Sequence, residues 1–193
     1  MRSIILLLFV LRALTAQTRP DLWKRVNPES SAPQLHAAEL SKVRQEAIAR
    51  LILRCCESYV EEPQGSTLAD TIECLNFQEI PLAPKRDVLL VNEEGTGCAH
   101  WGTGGGGGMW LIRLDENEPV LLASPDDEFN GSLYSIQPTS SHGYHDLVLG
   151  WHMGACYTIL TFFQFDGKSY NSVSKAAELC DGKGYRIDPS AAN

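Results

Sequence analysis

The stretch YTILTFFQFDGKSYNSV, Tyr157 to Val173, decides the fold. Tyr157 to Phe165 is aromatic, aliphatic or β-branched except for Gln164. Such side chains suit a pleated, half-buried surface. Asp166-Gly167-Lys168-Ser169 follows, and Asp and Gly supply the conformations a tight reversal needs. Tyr170 to Val173 then resumes the strand character. Two strand-like runs joined by turn residues predict an antiparallel hairpin.

Runs of the same kind recur upstream. They are TIECLNF (Thr71–Phe77), DVLLVN (Asp87–Asn92), MWLIRL (Met109–Leu114), VLLA (Val120–Ala123), LYSI (Leu133–Ile136) and DLVL (Asp146–Leu149). DENEP, at 115–119, is a second hairpin turn. The pattern predicts about seven or eight mostly antiparallel strands. KRDVLLV at 85–91 aligns with YHDLVLG at 144–150, and IRLDEN at 112–117 with FQFDGK at 163–168, as two related hairpin units would.

Before the strands, Leu40, Val43, Ala47, Leu51, Cys55 and Tyr59 recur at spacings of three and four, with Ile48 and Ile52 beside them. That spacing predicts an amphipathic helix with one buried stripe, ended by Pro63 and Gly65. The expected fold class is therefore α+β. One N-terminal amphipathic helix packs on a mostly antiparallel sheet built from two related hairpin units. It forms a single domain over 35–185, with 186–193 as a tail. Residues 17–34 are polar and carry Pro20, Pro28 and Pro33, which predicts an extended leader.

The first residues, MRSIILLLFVLRALTAQ, place Arg2 before an apolar run and small residues around Ala16. This is the pattern of a secretory signal peptide over 1–16. The run is far short of the ~20 residues a membrane-spanning helix requires. The mature chain is expected to be secreted or periplasmic, with no membrane span. Without Arg2 and Arg12, the 16 basic and 24 acidic side chains become 14 and 24, a formal −10. No Lys/Arg cluster is present for phosphates to engage, so nucleic acid is an unexpected partner. Cys55, Cys56, Cys74, Cys98, Cys156 and Cys180 are even in number, and in an exported chain they are disulfide candidates. Cys74 is the preferred partner for Cys55 or Cys56, which cannot pair with each other without strain.

CAHWGTGGGGGMW, Cys98 to Trp110, invites a phosphate-binding reading. A phosphate cradle needs Lys and Ser or Thr after the glycines and then a helix. Here Met109 and Trp110 lead into a strand, so no nucleotide and no other cofactor is expected. His142, His145 and His152, with Asp146, are zinc-ligand types in one stretch, although the spacing matches no established site. Asp126, Glu128, Asn130 and Gly131 imitate the start of a calcium loop, but Gln137 stands where a bidentate carboxylate belongs. Cys98 and His100 lack a third orienting group for nucleophilic catalysis. Asp115 and Asp166 read as turn residues.

Aromatic side chains on long loops are the remaining candidates. His100, Trp101, Tyr144 and Trp151 form the expected binding surface, and a protein partner is expected. The expected function is therefore an exported non-enzymatic binding protein, a periplasmic inhibitor or envelope-associated module. The alternatives are a metal-dependent hydrolase using His142, His145 and His152, and a structural envelope component.

GYHDLVLG at 143–150 with FFQFDGKSY at 162–170 resembles small exported bacterial proteins of uncharacterised function that share a Gly-Tyr-x-Asp-Leu-Val and Phe-Asp-Gly-x-x-Tyr pattern. It is also faintly similar to one blade of an integrin-like FG-GAP/VCBS repeat. Calcium-binding members of that family place several Asp just before the Gly. Pro138, Thr139, Ser140, Ser141 and His142 stand there in this chain. The resemblance, over roughly residues 85–175, implies a fold and brings no activity with it.

Overall fold

The computed structural model describes residues 20–26, 33–55, 68–93 and 108–192. Three helices and ten strands occur among them. A short helix α1 (Pro20–Trp23) precedes β1 (His36–Ala37), α2 (Lys42–Cys55) and α3 (Leu68–Glu73). Then come β2 (Leu75–Glu79), β3 (Val88–Glu93), β4 (Met109–Leu114) and β5 (Pro119–Ala123). After a 3-10 turn at Pro125–Asp127 follow β6 (Ser132–Ser141), β7 (Tyr144–Gly154), β8 (Tyr157–Phe165), β9 (Tyr170–Cys180) and β10 (Tyr185–Asp188).

The strands form two antiparallel five-stranded sheets. Sheet A runs β1-β2-β3-β4-β5 and sheet B runs β10-β9-β8-β7-β6, each strand pairing with its sequence neighbour. The DGKS hairpin is present as read: Phe165 pairs with Tyr170, and Asp166 Oδ1 accepts hydrogen bonds from the amides of Lys168 (2.7 Å) and Ser169 (2.8 Å). Those amides hold the Asp166 carboxyl below the usual aspartate range.

Alternation along each strand builds the layers. Val88, Leu90, Met109 and Leu111 of sheet A meet Leu147, Leu149, Phe163 and Phe165 of sheet B in the central core. The opposite face of sheet A (Leu89, Val91, Trp110, Ile112) packs on Ile48, Ala49 and Ile52 of α2. The outer face of sheet B (Val148, Leu160, Phe162, Ala176) is covered by Trp23 and Val26. The order is helix, sheet, sheet, N-terminal strap. Strands buried on both faces explain the near-continuous apolar runs of DVLLVN and MWLIRL.

Several expectations change. The helix appears as Lys42–Cys55, but its buried side chains are Ile48, Ala49 and Ile52, whereas Val43 is 77% exposed. The stripe lies about one residue-row round from the one read, because Ile48 and Ile52 are the larger apolar pair at i, i+4. Thr71–Glu73 belongs to α3, so only the second half of TIECLNF is strand. The leader contains α1, whose Trp23 is buried and donates Nε1–H to Ser174 Oγ at 2.9 Å. The expected tail contributes Arg186–Asp188 to β10.

The proposed repeat is face-consistent in its first strand and inconsistent in its second. Val88 and the aligned Leu147 both point into the central core. Ile112 points to α2, whereas the aligned Phe163 points to the central core. A shift of one residue reverses a strand's faces, so the second match is out of register by one.

Candidate functional site

The three histidines occupy separate places. His142 sits in the β6–β7 turn with a left-handed backbone (φ 51°), and its Nδ1 lies 3.0 Å from the Phe165 carbonyl oxygen. His145, at the start of β7, donates its amide N–H to the Leu82 carbonyl at 2.7 Å. His152, near the other end of β7, is exposed and places Nδ1 3.0 Å from Thr158 Oγ1. His145 and His152 are seven positions apart on one strand, a separation of about 23 Å at ~3.3 Å per residue. One metal cannot bridge that span. Among the described residues, no three His, Cys, Asp or Glu side chains gather as a metal site would need.

Asp146 has a structural environment. It is 1% exposed, and its carboxylate accepts hydrogen bonds from Thr139 Oγ1 (2.7 Å), Ser141 Oγ (2.8 Å) and Gln164 Nε2 (3.2 Å). The carboxyl group is thereby matched by three donors, as a buried polar group must be. In the calcium-like stretch, Glu128 is taken by Lys175 (Nζ–Oε2 3.0 Å) and by Ser172 Oγ (3.1 Å). The Lys175 hydrogen bond, aided by Ser172, holds its carboxyl below the usual glutamate range.

Tyr144 belongs to the core and leaves the expected binding surface. Its side chain is 1% exposed, and its ring stacks at a tilt on Phe165, with centroids 4.3 Å apart. Its hydroxyl accepts hydrogen bonds from Arg86 Nη1 (2.9 Å) and Arg113 Nη1 (3.4 Å), while the Arg86 guanidinium lies over the ring. Arg113 also forks onto Asp115 at 2.6 and 2.7 Å. That bidentate pair holds Arg113 charged and lowers the Asp115 carboxyl. Two arginines of the sheet A side thus grip one tyrosine of sheet B.

Trp151 lies at the opposite end of β7. It is half-buried and pairs across the sheet with Ile159 of β8, which in turn pairs with Ala177 of β9. Met153, two positions on, is 57% exposed, and Tyr185 of β10 is 50% exposed beside Cys180. Cys156, in the β7–β8 turn, is disulfide-bonded to Cys180 at the end of β9. Their Cα atoms are 4.9 Å apart, and the Cys180 amide donates to the Cys156 carbonyl. Gly131 passes against this end: its φ is 100°, and a Cβ there would strike the Gly150 carbonyl and approach the Trp151 ring. Met153 and Tyr185 escaped sequence reading because the expected strands stopped at Leu149 and Val173. The full length of β7 carries Met153 there, and the pairing of β10 with the end of β9 brings Tyr185 to the same end.

Cys55 and Cys74 are each engaged in a disulfide. His100, Trp101, Cys56, Cys98 and Gly104 to Gly107 lie outside the described residues. Gly108 precedes β4, where a Cβ would collide with the Trp110 indole, so the last glycine of the run answers to packing. No described helix is long and apolar enough to cross a membrane. Comparison of the chain with protein-family models, curated proteins and solved structures finds no match.

Proposed function

We propose that the chain is an exported, non-enzymatic binding protein that recognises a polypeptide through the end of sheet B around Trp151. The observation that carries this reading is the Cys156–Cys180 bond, which staples two long strands where Trp151, Met153 and Tyr185 are partly exposed. Binding energy concentrates in aromatic and other large side chains held rigidly before contact. A staple at the tip lowers the ordering cost that a loose hairpin incurs on association. A disulfide also fits an oxidising compartment, in keeping with the leader at 1–16. A periplasmic inhibitor or envelope-associated module is the corresponding role. The four-stranded meanders β2–β5 and β6–β9 share one up-and-down order, and we read them as two copies of one unit whose second hairpin has slipped by a residue.

The test uses the oxidised chain from residue 17 onward, with a photo-cross-linking side chain at Met153 or, as a control, at Lys168. Cross-linking is carried out in the native host. The expected result is a discrete polypeptide adduct from position 153 only, weakened about tenfold or more by Trp151→Ala. Equal adducts from both positions, or no effect of Trp151→Ala, reject the reading.

A further inference from the structure

A cleft of about 590 Å³ opens at the other end of the molecule, between the 34–44 segment and the connection from β2 to β3. Its floor is apolar core: Ile80, Val88 and Leu89 are each at most 2% exposed, and Ala38, Leu40 and Leu114 complete it. Its rim is charged. Arg44, Lys85 and Arg86 supply three cations, and Glu39, Glu79 and Asp87 supply three anions.

Among the described residues these six charges make no ion pairs. Elsewhere on the surface, opposite charges meet: Arg50 with Glu46, Arg113 with Asp115, Lys175 with Glu128, and Arg186 with Asp188. None of the six rim residues has an opposite charge within ion-pair distance among the described residues. Among the described residues the side-chain hydrogen-bond partner of Arg86 is the Tyr144 hydroxyl, which engages Nη1 of the guanidinium, and the Arg86 charge also acts at longer range on Asp115. One wall is β1, a two-residue edge strand exposed at both positions, with no strand on its far side among the described residues.

From this we infer that the cleft is a binding site for a short peptide with free termini. The charge balance decides the class. Three cations against three anions repel neither sign on balance, which disfavours a polyanion and suits a ligand bearing one ammonium and one carboxylate. A planar guanidinium with free donors matches a carboxylate, and a free glutamate or aspartate matches an ammonium. The apolar floor takes side chains, and the edge of β1 offers main-chain groups to an extended backbone. The volume lies within the roughly 300–1,000 Å³ of cavities that hold small ligands, which exceeds the needs of one free amino acid. The site is separate from the proposed partner surface, since Arg86 meets Tyr144 where β7 begins and Trp151 lies towards its end.

The experiment is a calorimetric titration of the oxidised chain with positional-scanning pools of free-terminus tripeptides. The same pools with acetylated and amidated ends, and single free amino acids, serve as comparison probes. Saturable binding of at least one free-terminus pool is expected, weakened about tenfold by blocking the termini, as loss of a charge-assisted contact implies. Lys85→Glu and Glu79→Lys, both at exposed positions, should each weaken it by a similar factor, while Lys183→Glu leaves it unchanged. Absence of saturable binding in every pool overturns the proposal, as does binding indifferent to both rim substitutions. Free amino acids binding as tightly as the tripeptides would overturn the peptide assignment.

Discussion

Trp23→Ala tests the layer order directly. Trp23 is 4% exposed, meets Phe162 edge-on with centroids 5.8 Å apart, and hydrogen-bonds Ser174. Burial of a tryptophan removes up to ~250 Å² from water, or about 6 kcal/mol at ~25 cal/mol per Å². Ordering the backbone of the seven residues 20–26, at about 1–2 kcal/mol each, opposes this gain and that of the buried Val26. The strap therefore adheres by a small margin, and Trp23 and Val26 are its buried apolar anchors. Removing the indole should release the strap instead of leaving a cavity beneath it. The expected loss is about 2–3 kcal/mol, below the ~3–5 kcal/mol of a tryptophan truncated inside a closed core. Deleting residues 17–26 should cost the same within ~0.5 kcal/mol, and combining the two lesions is redundant by construction. Urea denaturation measures the cost, and amide exchange in β8 and β9 reports the uncovering of Leu160, Phe162 and Ala176. A loss below ~0.5 kcal/mol, or a deletion far more costly than Trp23→Ala, would refute the reasoning.

Three further outcomes are expected. Asp146→Ala leaves the donors of Thr139, Ser141 and Gln164 without their shared acceptor, so chemical denaturation should show a loss of about 3 kcal/mol or more. Replacing Cys156 and Cys180 together by Ser frees a loop with a sequence separation of 24 and should lower stability by about 2–4 kcal/mol in urea. Glu128 has a folded-state pKa below its unfolded value, so its pairing stabilises the fold above the unfolded pKa and is lost as pH falls through the folded one. The contribution of this exposed pair is at most about 1 kcal/mol. Lys175→Met should flatten the stability profile below the usual glutamate range, as pH-dependent melting would show.

The local chemistry of the chain determined its hairpins. FFQFDGKSY carries its own turn, because Asp166 caps the reversal with neighbouring amides and needs nothing distant. MWLIRL and YTILTFFQF are strands at the residues read. Faces are another matter. The sequence marks Val88 to Val91 as apolar throughout, and a continuous run carries no preference for one side. Sheet B on one side and α2 on the other decide that Leu90 enters the central core while Leu89 meets the helix. The same packing chose Ile48 and Ile52 over Val43, turned the Tyr144 ring inward, and put His145 and His152 at opposite ends of one strand. Period and turn residues act over a few positions, and the sequence alone suffices for them. Which face is covered, and which charges remain without partners around a cleft, depends on layers brought together from distant parts of the chain, and only the tertiary structure settles it.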